Sequence, residues 1–301
     1  VGESKAIVAA TLDVYRGAMA SLLPTPRKSH YTFNLRDFSR VIQGVLMITT
    51  PTDLKKPDLV RLWTHEVQRV FGDRLVDQSD REWVLSHVDE TIDKHFNLKV
   101  LTTFEHLVAP GETTVTTDSM RRLFFGDYLT PTEEDQRPYC EVQDFDLLSQ
   151  TVNEYLNEYN NQSQKPMDLV MFAFAIEHVS RISRVLKMPG GNALLVGVGG
   201  SGRQSVTRLA TFMAGYKIFQ IEISKNYGHA EWREDLKTVL RGAGTGPEPM
   251  VFLFSDTQIK TEAFVEDINN ILNSGEVPNI FPNDEKSAIC EAVGKFAKEE
   301  F

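Results

Sequence analysis

The residues with the clearest chemical potential lie in the stretch LLVGVGGSGRQS, residues 194–205. Gly197, Val198, Gly199, Gly200, Ser201 and Gly202 follow an apolar run that reads as a buried strand and precede a segment that reads as a helix. That context separates a phosphate-binding loop from a chance cluster of glycines. Successive backbone N–H groups must turn inward around an anion, which needs backbone angles and a close approach that a Cβ would obstruct. The following helix adds the partial positive charge of its N-terminus. A competing reading makes the glycines only a tight strand-to-helix turn of a dinucleotide-binding unit. It is disfavoured because no acidic residue suited to a ribose ends the next strand.

Two positions depart from the usual loop. Arg203 stands where a Lys is expected; it keeps the positive charge as a planar fork, which attracts phosphate without reproducing an ammonium's geometry. Gln204 replaces the hydroxyl that ordinarily helps to hold Mg²⁺. Ser205, about 100° further round the helix, is an imperfect substitute. The expectation is phosphate binding with a damaged metal site. A second signal, VFLFSDTQI at 251–259, sits where such proteins carry an Asp-Glu pair on a strand end; the aligned residues are Ser255 and Asp256. Adjacent strand residues point to opposite faces, so Asp256 cannot support a metal and position a water at once. An error of about 1 Å costs on the order of 100-fold in rate, so hydrolysis is expected to be slow or absent. Alternatively, Asp256 only caps the turn after the strand.

The elements around these residues fall into two halves. Residues 1–108 read as helical: Leu59, Leu62, Trp63, Val67, Val70 and Phe71 recur at three- and four-residue steps, and breakers at Pro24, Pro26, Pro51, Pro57 and Pro110-Gly111 separate the helices. Periodicity fades from 111 to about 144, which reads as a linker that includes the acidic TEEDQ at 132–136. Helices are expected near 145–160 and 168–187, the latter capped by Asp168 and ended by MPGGN. Strands at 192–197, 216–224 and 249–256 then alternate with helices at 198–214, 230–241 and 261–274. That order implies right-handed crossovers and a parallel sheet covered on both faces.

A chain of 301 residues is long enough for two domains. Its net charge of −10 argues against broad binding to nucleic acid or an anionic membrane. No apolar run reaches the roughly 18–20 residues of a membrane helix, and the N-terminus lacks the pattern of a secretory signal. Cys140 and Cys290 lack metal or redox spacing and read as free thiols in a reducing, cytoplasmic setting. His65-Glu66 lacks a second His, and His87 and His95 stand eight residues apart, so all three histidines read as solvated or capping groups. Trp63, Trp83 and Trp232 fall in helical patterns and read as packing residues. The missing initiator Met and the ending GKFAKEEF lead to the expectation of a piece of a longer polypeptide.

The runs FAIEHVSRISRVLKMPGGNALLVGVGGSGRQSVTRLATFMAG, KIFQIEISKNYGHAEWREDLKTVLRGAG and FLFSDTQIKTEAFVEDINNILNSGEVPNIF resemble the fourth AAA+ module of an axonemal dynein heavy chain. LLPTPRKSHYTFNLRDFSRVIQGV and LWTHEVQRVFGDRL resemble the helical lid of the preceding, third module. The resemblance implies an all-α lid at 1–110, a linker at 111–144 and an α/β P-loop large subdomain at 145–301, C-terminally incomplete. It implies ATP or ADP as ligand and a regulatory role within a ring whose neighbouring AAA+ modules belong to the same heavy chain. It also implies a motor of the ciliary axoneme that meets the microtubule only through parts outside these residues. By the same resemblance, Arg36 in FNLRD is the lid arginine that reaches a nucleotide of the third module, and Met167 and Val170 flank an adenine-binding segment. Two rivals stand beside this reading: a structural ring element with a vestigial, empty loop, and an active ATPase using Asp256 with a water-bridged metal.

Overall fold

The computed structural model describes residues 2–48, 54–129, 137–246 and 248–300, with side chains described to residue 294. The chain divides into two compact units, residues 1–157 with 168–191, and residues 158–167 with 192–301. TEEDQ at 132–136 and Pro51 lie outside the described residues.

The first unit opens with α1 (Gly2–Ser21), which buries Ile7, Ala10, Val14 and Ala18 at helical spacing. α2 (Leu35–Val45) begins at a capping box: Asn34 Oδ1 accepts from the N–H groups of Arg36 and Asp37, and Asp37 accepts from the Asn34 N–H. α3 (Lys56–Val67) carries Pro57 in its first turn, where the missing donor costs nothing. It runs into a π-helical turn at Gln68–Gly72. The anticipated stripe is real: Leu62, Trp63, Val67 and Phe71 are fully buried, and Trp63 Nε1 donates to Thr11 Oγ1 at 2.9 Å. α4 (Gln78–Phe96) packs on α1 through Val84, Val88, Ile92 and Phe96, and α5 (Val100–Thr103) follows.

Within 111–144 the structure forms α6 (Thr117–Met120) and an antiparallel pair, β1 (Phe124–Gly126) with β2 (Cys140–Val142). Phe124, Phe125, Tyr128 and Tyr139 are buried there. Strands of three residues are too short to leave an alternation in the sequence, which is why this part reads as a linker. α7 (Phe145–Gln162) comes next. α8 (Ala173–Lys187) then starts four residues later than the Asp168 cap predicts, with Phe172 in the cap position. Asp168 is exposed in coil; Asn160 holds the preceding backbone by accepting from Met167 N at 2.7 Å and donating to Met167 O at 2.9 Å. That side-chain clasp fixes the backbone at Met167, and Asp168 caps no helix. The helix ends at MPGGN as expected, with Gly190 at φ +63°.

The second unit contains α9 (Arg203–Met213), β3 (Lys217–Phe219), α10 (His229–Thr245), β4 (Met250–Phe252), α11 (Glu262–Ser274) and α12 (Asn283–Glu300). β3 and β4 pair in parallel, Ile218 opposite Val251, so the crossover order read from the sequence holds. Its core is aromatic: Trp232 stacks on Phe264 at 4.3 Å, and its Nε1 donates to Asp267. Ile221, Leu236, Val277 and Ile280 fill the rest.

One strand departs from expectation. Residues 192–197 form no regular element and enter no ladder among the described residues, and Leu194 and Val196 are 90% and 85% exposed. A strand joins a sheet when flanking strands take up its N–H and C=O groups; here β3 and β4 pair only with each other. No helix among the described residues is long and apolar enough to cross a membrane.

Candidate phosphate site

The glycine loop turns through two left-handed residues, Gly200 at φ +75° and Gly202 at φ +77°, the second being the cap of α9. An L side chain is strained at such angles, which accounts for glycine at these two positions. A Cβ added at Gly199, Gly200 or Gly202 would meet nothing within 4 Å. The space in front of the loop is therefore open, and the backbone can be approached closely. Val206 N closes the first helical turn onto Gly202 O at 2.9 Å. The unpaired amides of an eleven-residue helix then face the loop with their partial positive charge. These features suit a phosphate group.

Arg203 is turned back onto the loop. Its guanidinium donates to Leu195 O at 3.3 Å and Val198 O at 3.1 Å, bridging the incoming segment and the turn. Gln204 is exposed on the same first turn, and its Oε1 accepts from Gln220 Nε2 at 3.3 Å. Gln220, just past β3, accepts in turn from Arg208. Ser205 is half-buried.

Ser255 and Asp256 stand just past β4. Ser255 N and Oγ bond Gln258 Oε1 at 2.8 and 3.1 Å, and Ser255 Oγ lies 3.0 Å from Thr257 Oγ1. The Ser255 hydroxyl is thus absorbed in a short 3₁₀ turn, Asp256–Gln258. Asp256 is exposed at its start, with no side-chain hydrogen bond or ion pair among the described residues. Gln258, which the sequence gives no reason to single out, is buried and donates to Ile221 O at 2.6 Å. It ties the two strand ends together across 37 residues. Among the described residues no three His, Cys, Asp or Glu side chains gather in a way that suits a metal ion.

The remaining candidates are dispersed. Met167 is half-buried in the second unit and Val170 is 81% exposed in the first. Arg36 is exposed in the first turn of α2, with no side-chain bond among the described residues; beside it, buried Asp37 pairs with Arg74 at 2.6 Å.

His65 is not solvated, contrary to the sequence reading. It is buried beside Glu66, whose Oε1 accepts from His65 Nδ1 at 3.1 Å and from Tyr139 at 3.2 Å. The adjacent carboxylate requires the proton on Nδ1. Burial pushes the imidazole down to about 4, so the ring is neutral. Glu66 is ionised against Arg184 of α8, which donates from Nε at 2.9 Å and from Nη2. Burial works against that charge; the His65 bond and the Arg184 cation outweigh it and hold the carboxyl below its ordinary range. His95 bonds Asp13 at 2.6 Å and His87 meets Asp13 O at 3.3 Å, so both act between helices.

Residues 167–300 match the family described as P-loop containing dynein motor region D4, and residues 7–103 match the AAA+ lid domain. The chain is 53% identical over 298 residues to dynein axonemal heavy chain 3 of Mus musculus, covering 98% of this chain and 7% of that one. It is 46% identical over 294 residues to dynein axonemal heavy chain 1 of Mus musculus, covering 98% and 6%. To the dynein-1-beta heavy chain of the flagellar inner arm I1 complex of Chlamydomonas reinhardtii it is 44% identical over 296 residues, again 98% and 6%. The chain thus spans only 6–7% of the length of these relatives.

Proposed function

Since the chain belongs to the axonemal dynein heavy-chain family, as a stretch of its AAA+ motor region, we propose that residues 197–205 hold the phosphates of ATP or ADP as a regulatory site with weak or no hydrolysis. The observation that carries this reading is the pair of left-handed glycines, Gly200 and Gly202, opening onto free space at the N-terminus of α9. Backbone amides and the helix end supply the attraction, and Arg203 steadies the loop while adding positive charge. Slow hydrolysis follows from the Ser255 hydroxyl being tied up in its turn and from a lone Asp256 standing where two carboxylates are needed. Such a site shifts the ring's conformation by differential binding of nucleotide rather than by turnover.

In this reading residues 1–110 are the lid of a preceding module, with Arg36 facing that module's nucleotide. Residues 145–301 belong to the P-loop subdomain, with Met167 and Val170 near the adenine. The whole heavy chain is then a minus-end-directed microtubule motor of the axoneme, and the partners of this stretch are the neighbouring AAA+ modules of the same polypeptide.

The test is calorimetric titration of the chain with ADP and ATP, together with a phosphate-release assay. Saturable binding without measurable turnover is expected. Gly202→Val, which forces a β-branched residue to a positive φ at a cost of about 1–2 kcal/mol, should weaken it. Absence of heat at millimolar nucleotide would leave the loop a vestigial structural element, and rapid turnover abolished by Asp256→Asn would make the site an active ATPase.

A further inference from the structure

We propose that the phosphate site works without a metal ion because Gln204 presents amide N–H donors at the place where a metal ligand would offer oxygen; this rests on the phosphate-site reading above. The orientation of a glutamine amide is ordinarily ambiguous, since its oxygen and nitrogen are alike in size. Here a chain of bonds decides it. A guanidinium can only donate, so the Gln220 atom bonded to Arg208 is its oxygen, Oε1. The Gln220 nitrogen therefore faces Gln204, and the Gln204 atom that receives it, at 3.3 Å, is Oε1. Arg208 lies one turn beyond Gln204 on the same face of α9, and Gln220 is anchored just past β3.

The Gln204 nitrogen, with its two N–H bonds, is what remains for a ligand. Gln204 is exposed in the first turn of α9, two residues past Gly202, so its amide adjoins the glycine loop along the chain. A hard divalent cation needs oxygen ligands; a phosphate oxygen needs donors. The groups beside the Gln204 amide are mostly of the second kind: the amides at the start of α9 and the guanidinium groups of Arg203 and Arg208, with the half-buried Ser205 hydroxyl the oxygen-bearing side chain of the same turn. The hydroxyl past β4, on Ser255, is already bonded to Gln258 and Thr257. The ligand chemistry that fits is a nucleoside diphosphate whose charge is neutralised by the protein instead of by magnesium.

The experiment is calorimetric titration of the 301-residue chain with ADP, once with excess magnesium and once with EDTA. Equal affinity in the two buffers is expected. Gln204→Glu keeps the shape and exchanges the donors for a carboxylate; because Gln204 is exposed, the fold should survive, which far-ultraviolet circular dichroism checks. Its affinity in EDTA should fall about tenfold or more, the loss of a hydrogen bond to a charged group. Gln220→Met, which releases the Gln204 amide, should move affinity in the same direction. If magnesium tightens binding to the parent chain by about fivefold or more, the ordinary scale of coupling between ligands, the inference fails while the phosphate site stands. Unchanged affinity in Gln204→Glu overturns it too. No binding in either buffer would remove the phosphate site itself.

Discussion

Replacing Arg184 by methionine removes the cation opposite a carboxylate that has no solvent exposure. In the parent chain Glu66 receives two guanidinium nitrogens from Arg184, the Tyr139 hydroxyl at 3.2 Å and His65 Nδ1 at 3.1 Å. The Glu66 and Arg184 side chains are 0% and 8% exposed, so water screens neither. With the thioether in place of the guanidinium, the carboxylate keeps only two neutral donors. An uncompensated buried charge of this kind costs about 3–5 kcal/mol. In a unit of ~150–250 residues each kcal/mol moves the melting temperature by about 2–4 °C, so the midpoint should drop by about 10 °C. Near-ultraviolet circular dichroism follows it, since Trp63 lies in the same core. A paired replacement, Glu66→Leu with Arg184→Met, should recover most of the loss, because a buried ion pair is often no better than well-packed apolar groups. If Arg184→Met costs less than about 1 kcal/mol, well under the range for a stranded buried charge, Glu66 is not held as a buried anion and the account of this cluster is wrong.

Gly44→Ala should destabilise the first unit although alanine is the better helix former by about 1 kcal/mol. The new Cβ would stand 1.7 Å from Glu66 Oε2, and overpacking of this kind costs about 1–3 kcal/mol; urea midpoints decide the sign. Stability should fall on acidification between about pH 6.5 and 4. The folded His65 is depressed to about 4, so in that window the unfolded chain binds the extra proton; above it the full contribution is present. The His65 share at pH 5 is on the order of 2 kcal/mol, and His65→Asn should flatten the slope of urea midpoint against pH.

Much of the site was legible because its determinants are local. Glycines at 200 and 202 answer to backbone angles that their own residues must adopt, and the helical stripes answer to a 3.6-residue period. The alternation after residue 192 likewise announced the parallel order, which β3 and β4 show. Asp168 shows the limit: as a cap it is a reasonable local signal, yet α8 starts at Ala173 with Phe172 in the cap position, and Asp168 stays in coil.

The amino-acid order by itself thus announced the glycine turn before α9 and the helices that carry a buried face. Tertiary structure alone decided that Glu66 and Arg184, 118 residues apart, neutralise each other, and that Gln258 closes the strand ends onto Ile221. It also decided that Gln220 links Arg208 to Gln204 and that residues 192–197 enter no ladder among the described residues. The division has a physical cause: backbone angles and helical periodicity act within about four residues of chain, whereas desolvation, ion pairing and ladder formation depend on what the fold brings alongside from far away.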